Sequence, residues 1–387
     1  MGPLAGLTII EIAGIGPGPF AAMLLADMGA DVIRVERPGG SLFTAAHKPK
    51  LDFLNRGKRC ICVDLKAPAG VQTVLDLLGE ADALLEGNRP GVMERLGLGP
   101  DTCLEKNPRL VYGRMTGWGQ EGPTARAAGH DINYVALSGA LHAMGRAGEK
   151  PAIPLNLVGD FGGGGLMLAY GLVCALLEAK SSGRGQVVDA AMIDGAATLM
   201  TSAFAAHQVG FWSDDRGTNL LDSGAPFYEV YETADGKYIS LGSIEPQFYA
   251  ALMEQLGEQA EHFENQFDMP NWPAMKEKMA AIIKGKTRDQ WDAVFDGVDV
   301  CYAPVLSMAE VRTHPHHRAR GTFVEEDGVW QPAPAPRFSR TRAELRGSAA
   351  QVGEHTRVIL REFGLSDEQI EARIACGAVA ETAPPGD

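Results

Sequence analysis

Five short apolar runs recur through the first 115 residues: LTIIEI (7–12), DVIRVE (31–36), CICVDL (60–65), ADALLE (81–86) and RLVYGRM (109–115). Between the first two lies FAAMLLADMG, which has helical spacing and ends on Gly29. A second helical stretch covers about 67–79. Alternation of this kind builds βαβ units, and hence a parallel sheet with helices on both faces. The first connection, AGIGPGP, is a glycine and proline turn with Gly14, Gly16 and Gly18 spaced two apart, and Glu36 closes the second strand. A dinucleotide fingerprint needs G-x-G-x-x-G, and Pro19 stands where its third glycine belongs. Pro17 and Pro19 also remove backbone N–H donors that would hold a pyrophosphate. The expectation is a Rossmann-like α/β fold, with an NAD-dependent dehydrogenase as the lesser reading.

A chain of 387 residues is long enough for about two domains. DFGGGGLMLAYGLVCALLEAK (160–180) predicts a long buried helix whose glycines permit close packing or close ligand approach. From about 225 the pattern changes. FYEVYETADGKYISLGSIE (227–245) holds two alternating runs around Asp235-Gly236, a hairpin signal, and amphipathic stretches follow near 246–257, 272–284 and 287–297. These predict a smaller α+β domain. QPAPAPRF then reads as loop, 353–376 as a terminal helix, and the closing ETAPPGD as frayed. The expected division is a large domain of 1–200 with 320–387, a small one of 220–315, and linkers at 200–220 and 315–325.

The net charge of −14 argues against a nucleic acid partner. No window approaches the roughly 18 unbroken apolar residues of a membrane span. The start, MGPLAGLTIIEIAG, has no basic leader, so a cytoplasmic location is expected. Six cysteines form no C-x-x-C pair, and Cys60 and Cys62 alternate as core thiols. His314, His316 and His317 read as a polar loop rather than a metal tract. No metal and no separate cofactor are expected. One segment runs against the acidic trend: eight basic residues stand between 34 and 66 against three acidic ones. It is either a solvated face or a pocket for a phosphorylated ligand.

Two stretches carry the chemistry. In AGHDINYVALSG (128–139), His130 and Asp131 stand at the mouth of an apolar helix. In LVGDFGGGG (157–165), Asp160 precedes four glycines. A helix cap explains an aspartate there but not Gly162 to Gly165, which cost roughly 1 kcal/mol each against alanine in an exposed helix. Asp160 is therefore a candidate general base or nucleophile. Glu245, in GSIEPQF, ends the second hairpin strand, where a charge by itself means little.

With these residues stand PGPFAAMLLADMGADVIRVERP, EGNRPGVMERLGLGP, GRGQVVDAAM, SGAPFY, GSIEPQFY and GEHTRVILREFG. Over nearly its whole length the chain resembles the α-methylacyl-CoA racemases of the family III CoA-transferase superfamily. GHDINY with GSIEPQFY points to the racemase branch. The resemblance implies His130 and Asp160 as the two catalytic acid/bases, with Glu245 paired to the histidine. It implies CoA binding by Arg37, by Val63, Asp64, Leu65 and Lys66, and by Arg95. Gly129, Ile132, Asn133 and Tyr134 would line the thioester site and Met192 the acyl floor. It also implies an interlocked homodimer with an acyl-CoA thioester as substrate. Relatives in animals often end in a peroxisomal tripeptide, whereas this chain ends in PGD.

The chemistry agrees. Inverting a carbon beside a thioester needs two acid/bases on opposite sides and a donor for the enolate oxygen, a role open to the Asp131 backbone N–H at a helix start. CoA phosphates would give the basic segment a task. The main rival is a family III CoA-transferase with Asp160 as nucleophile, for which an imidazole at position 130 has no evident use. A non-enzymatic acyl-CoA-binding protein is the remaining alternative.

Overall fold

The computed structural model describes residues 2–40, 48–261 and 263–382. The final residues of the tail expected to fray, 383–387, lie outside that range. The chain forms two compact units: residues up to 138, 155–199 and from 321 onward make the larger, and 139–154 with 200–320 the smaller. The division departs from the expected boundaries in two ways. Residues 139–154 belong to the smaller unit. The supposed linkers also contain structure, with helix Thr201–Gln208 in one and helix Pro315–Arg320 followed by strand Phe323–Glu326 in the other.

In the larger unit six strands run parallel: β1 (Thr8–Ile12), β2 (Asp31–Glu36), β3 (Arg59–Val63), β4 (Ala83–Glu86), β5 (Val111–Thr116) and β6 (Val187–Ala191). Their order is β3-β2-β1-β4-β5-β6, and a short antiparallel strand, Val379–Ala380, closes the β3 edge. Five of the six parallel strands match the apolar runs. The sixth was missed because VVDAA is half exposed and reads as neither buried strand nor helix. Side chains alternate between two cores. Ile9, Val32, Leu85 and Val111 pack under helices Pro17–Asp27 and Met167–Ser182, while Ile10, Ile33, Leu84 and Tyr112 pack under Pro68–Leu78 and Thr356–Glu362. Burial on both faces is why these strands are apolar runs without polar alternation.

The stretch expected as one buried helix is two structures. Leu157–Leu166 is π-helical, and Met167–Ser182 continues as α-helix. The glycines serve packing: a methyl on Gly163 would lie 2.6 Å from the Ala196 backbone nitrogen, and one on Gly165 would lie 2.7 Å from the Phe20 ring. Helix Met167–Ser182 is only half buried, since Leu168, Leu172 and Leu176 enter the core while Tyr170, Val173 and Leu177 face outward. Together the two segments span 26 residues and contain an 18-residue window of mean hydropathy 1.5, enough by length and composition to cross a membrane, as core helices of folded proteins also are. The expected terminal helix is likewise two, Thr356–Glu362 and Asp367–Ala375, separated by Gly364 at φ +87°.

Half of the basic segment is consumed by internal pairing. Lys58 Nζ lies 2.7 Å from Glu11 Oε2, with Pro19 O and Asn55 Oδ1 each at 3.0 Å, and both charged groups are buried. Arg56 Nη2 pairs with Asp27 at 2.6 Å, Arg34 with Glu36, and Arg59 with Asp31 and Glu362. The first three of these pairs are buried, and removing one partner of such a pair leaves a bare charge, at a cost of about 3–5 kcal/mol. These four cations stitch strands and loops together and are not an anion pocket.

The smaller unit holds an antiparallel sheet of β7 (Tyr228–Glu232), β8 (Tyr238–Gly242) and β9 (Tyr302–Val305). Its hairpin turns at Asp235-Gly236, with Gly236 at φ +72°. Helices Pro246–Leu256, Trp272–Ile283 and Arg288–Phe295 follow the three amphipathic stretches and share a core with Phe227, Ile239 and Leu241.

Candidate active site

Strand order reverses between β1 and β4, and ligands of such sheets bind beyond the carboxyl ends at that reversal. The larger unit has a cavity of about 750 Å³ there. The glycine turn after β1 supplies Ile15, Gly16 and Pro17, the loop after β4 supplies Gly87 to Pro90, and the segment after β5 supplies Gly117 and Trp118. Met192, directly after β6, completes the wall with Phe161 and Leu54. Gly129, His130, Asn133, Tyr134 and Asp160 also open into the cavity. The structure thus brings His130 and Asp160, thirty positions apart in sequence, into one chamber.

His130 is the residue before helix Asp131–Leu137, with extended backbone (φ −133°, ψ 172°). Its own N–H donates to Asn133 Oδ1 at 3.0 Å, so Asn133 fixes the angle at which the chain enters the helix. The imidazole is left exposed on the cavity side. Asp131, at the first helical position, has a backbone N–H without an intrahelical acceptor, as the first turn of a helix requires. Its side chain turns inward and is buried. Oδ1 accepts the Asp160 N–H at 2.6 Å, which ties the two motifs together. Tyr134 is buried behind them, edge-on to Trp118 with ring centroids 4.8 Å apart.

Asp160 is no helix cap; it is the fourth residue of the π-helix. Asn156 Nδ2 donates to its Oδ2 at 3.2 Å. Gly16, at φ +67° and ψ −116°, holds a conformation that suits glycine, and a methyl there would lie 3.3 Å from the same oxygen. Burial pushes the Asp160 carboxyl above its ordinary value; the Asn156 amide opposes that, the Asp131 charge adds to it, and His130 opposes it. Such a carboxyl, raised yet hydrogen-bonded, is suited to exchanging a proton.

Of the other expected residues, Arg37, the segment from Val63 to Lys66 and Arg95 stand at or after the ends of β2, β3 and β4, at the carboxyl edge of the sheet. Arg37, directly after β2, is exposed and its Nε donates to Gly40 O at 2.9 Å. Asp64, Leu65 and Lys66 form the turn after β3, with Lys66 N–H on Asp64 Oδ1 at 3.0 Å. Val63 is a correction: its side chain is fully buried in the core, leaving only its backbone to meet a ligand. Arg95 lies exposed on the short helix Val92–Arg95. Ile132 is exposed but does not line the cavity. Glu245 belongs to the smaller unit and stands directly before helix Pro246–Leu256, with no side-chain hydrogen bond to the helix start. Reasoning from sequence missed Asn156, Arg89 and Trp118. Arg89 had a usable signal, since it follows β4 at the carboxyl edge. Among the described residues no three His, Cys, Asp or Glu side chains are grouped to hold a metal ion, and His314, His316 and His317 stand in or beside helix Pro315–Arg320, not in a loop.

Fold and site together define an α/β enzyme with an acid/base chamber at the reversal of strand order. The chain belongs to CoA-transferase family III, whose model matches residues 4–356. α-Methylacyl-CoA racemase of Mus musculus is 47% identical over 369 residues, covering 95% of this chain and 95% of that protein. The Homo sapiens racemase is 46% identical over 370 residues, with 95% of each covered. Among solved structures, a CAIB/BAIF family protein from Brucella suis superposes with a TM-score of 0.81 at 27% identity, covering 94% of this chain and 99% of that one.

Proposed function

We propose that this protein racemises 2-methylacyl-CoA thioesters, with His130 and Asp160 as the two acid/bases. One base takes the α-proton; the C–H electron pair moves into the thioester carbonyl as an enolate, and the Asp131 backbone N–H holds the oxygen. The other base returns a proton to the opposite face, breaking and forming one C–H bond in each turnover. The proton transfer is complete with these groups, and CoA arrives as part of the substrate. The observation that carries the reading is the opening of an imidazole and a carboxylate into one cavity, in a chain 47% identical to a racemase. A transferase using Asp160 as nucleophile has no task for His130. Arg37, the 64–66 turn and Arg95 would meet the CoA phosphates and pantetheine arm.

We further propose a homodimer, with Glu245 supporting His130 from the same or the partner chain. Leu166, Tyr170, Val173 and Leu177 are 52, 67, 38 and 69% exposed and lie on one face of their helix by the 4-3-4 spacing. A stripe of that kind calls for a partner surface.

The test is α-proton exchange in deuterated water with one 2-methylacyl-CoA and no acceptor acid. Label enters the α-carbon if the reading is right. His130→Ala and Asp160→Ala each lower exchange by about 10²–10⁴-fold while CoA still binds. An inert substrate, or near-native exchange by Asp160→Ala, removes the assignment.

A further inference from the structure

β8 ends at Gly242, and the next residues carry the chain past the last pair of its ladder to Glu245 and helix Pro246–Leu256. The buried backbone groups of such a segment must find partners outside the sheet. Ser243 is fully buried: its N–H donates to Phe227 O at 3.0 Å and its hydroxyl to Val300 O at 2.6 Å. The two carbonyls that follow are both taken by one side chain, since Gln266 Nε2 donates to Ser243 O at 3.0 Å and to Ile244 O at 2.8 Å. Gln266 is 8% exposed and is itself held, with Trp272 Nε1 donating to its backbone carbonyl at 2.9 Å. Tyr249, on the helix that Glu245 precedes, ties the same segment by donating from its hydroxyl to Phe263 O at 2.8 Å. The Glu245 side chain is the opposite case. It is exposed, and among the described residues it has no hydrogen-bond or ion-pair partner.

We propose that Gln266 is a positioning residue for Glu245: by holding both carbonyls before it, the amide fixes where the free carboxylate stands. The inference rests on Glu245 supporting His130 as proposed above. Two bonds from one planar amide restrict two successive peptide planes, so neither can rotate and swing Glu245 away. A carboxylate orients an imidazole only within hydrogen-bond reach, and a misplacement of about 1 Å costs on the order of a hundredfold in rate. A glutamine that merely satisfied buried carbonyls would matter equally with or without Glu245. One that acts through Glu245 loses its effect once that carboxylate is gone.

The experiment is a double-mutant cycle on the full-length enzyme, with Gln266→Met and Glu245→Ala made singly and together. Exchange of the α-proton of one 2-methylacyl-CoA in deuterated water is followed by mass spectrometry over hours, so that slow variants are still read. Gln266→Met keeps the length of the side chain and removes both hydrogen bonds. It lowers the turnover of exchange roughly tenfold to a hundredfold, with KM nearly unchanged. Added to Glu245→Ala, the same change costs less than about twofold. If the methionine variant loses its thermal unfolding transition, Gln266→Asn, whose amide falls one methylene short, is read in the same cycle. An equal loss in both backgrounds, or a rise in KM alone, overturns the proposal. Native exchange by Glu245→Ala removes the role of Glu245 and the inference with it. Slow exchange by Glu245→Ala beside native exchange by Gln266→Met removes only the role of Gln266.

Discussion

Asp131 pushes on Asp160 in the direction opposite to Asn156, and that opposition has a measurable sign. A base works in its ionised form, so exchange rises as pH passes upward through its pKa. Burial and the Asp131 charge raise that pKa. Asp131→Asn removes the charge but keeps an oxygen to accept the Asp160 N–H, now 2.6 Å away. The acid limb of exchange should therefore move to lower pH, seen when the exchange rate is measured against pH. A limb that stays or climbs would mean that Asp131 acts through geometry alone. At this scale the two candidate side chains that open into one cavity, His130 and Asp160, were legible as an imidazole and a carboxylate beside helix-start signals. Asn156 was not. Its partnership with Asp160 needs a helix that begins at Leu157, and the glycines made position 160 look like the start.

The π-helix is an element whose register is set by its neighbours. Four glycines should weaken it by propensity, and replacing one with alanine in an ordinary helix would stabilise by up to about 1 kcal/mol. Packing reverses the sign here. A methyl on Gly195, in helix Met192–Leu199, would overlap the Gly163 carbonyl, and that backbone cannot step aside without moving the segment that carries Asp160. Gly195→Ala should destabilise the protein by about 1–3 kcal/mol in urea unfolding and lower exchange as well. Unchanged stability would show that the two helices slide apart freely. Local composition gave the helix; the close approach of two glycine backbones, thirty-two positions apart, chose its winding.

For the whole molecule, the apolar stripe from Leu166 to Leu177 makes a demand that one chain leaves unmet. Side chains of this size stabilise a buried interface by about 1.5–3 kcal/mol each when fully covered. On the proposed dimer, light scattering should give the wild type about twice 41.2 kDa, and Tyr170→Asp with Leu177→Asp should give a single chain's mass. A wild-type enzyme that already runs as one chain would dismiss the dimer.

By itself the sequence determined five of the six parallel strands, the Asp235-Gly236 hairpin and, in the smaller unit, helices Pro246–Leu256, Trp272–Ile283 and Arg288–Phe295. Each of these is encoded by residues close together in the chain, where periodicity and turn chemistry act. Only the tertiary structure decided that Lys58 answers Glu11 and Arg56 answers Asp27, that Val63 is core, that the glycine helix is π-wound, and that Asn156 grips Asp160. Those outcomes depend on which distant groups arrive at one place, and a charge or a glycine looks the same in sequence whichever partner it finds.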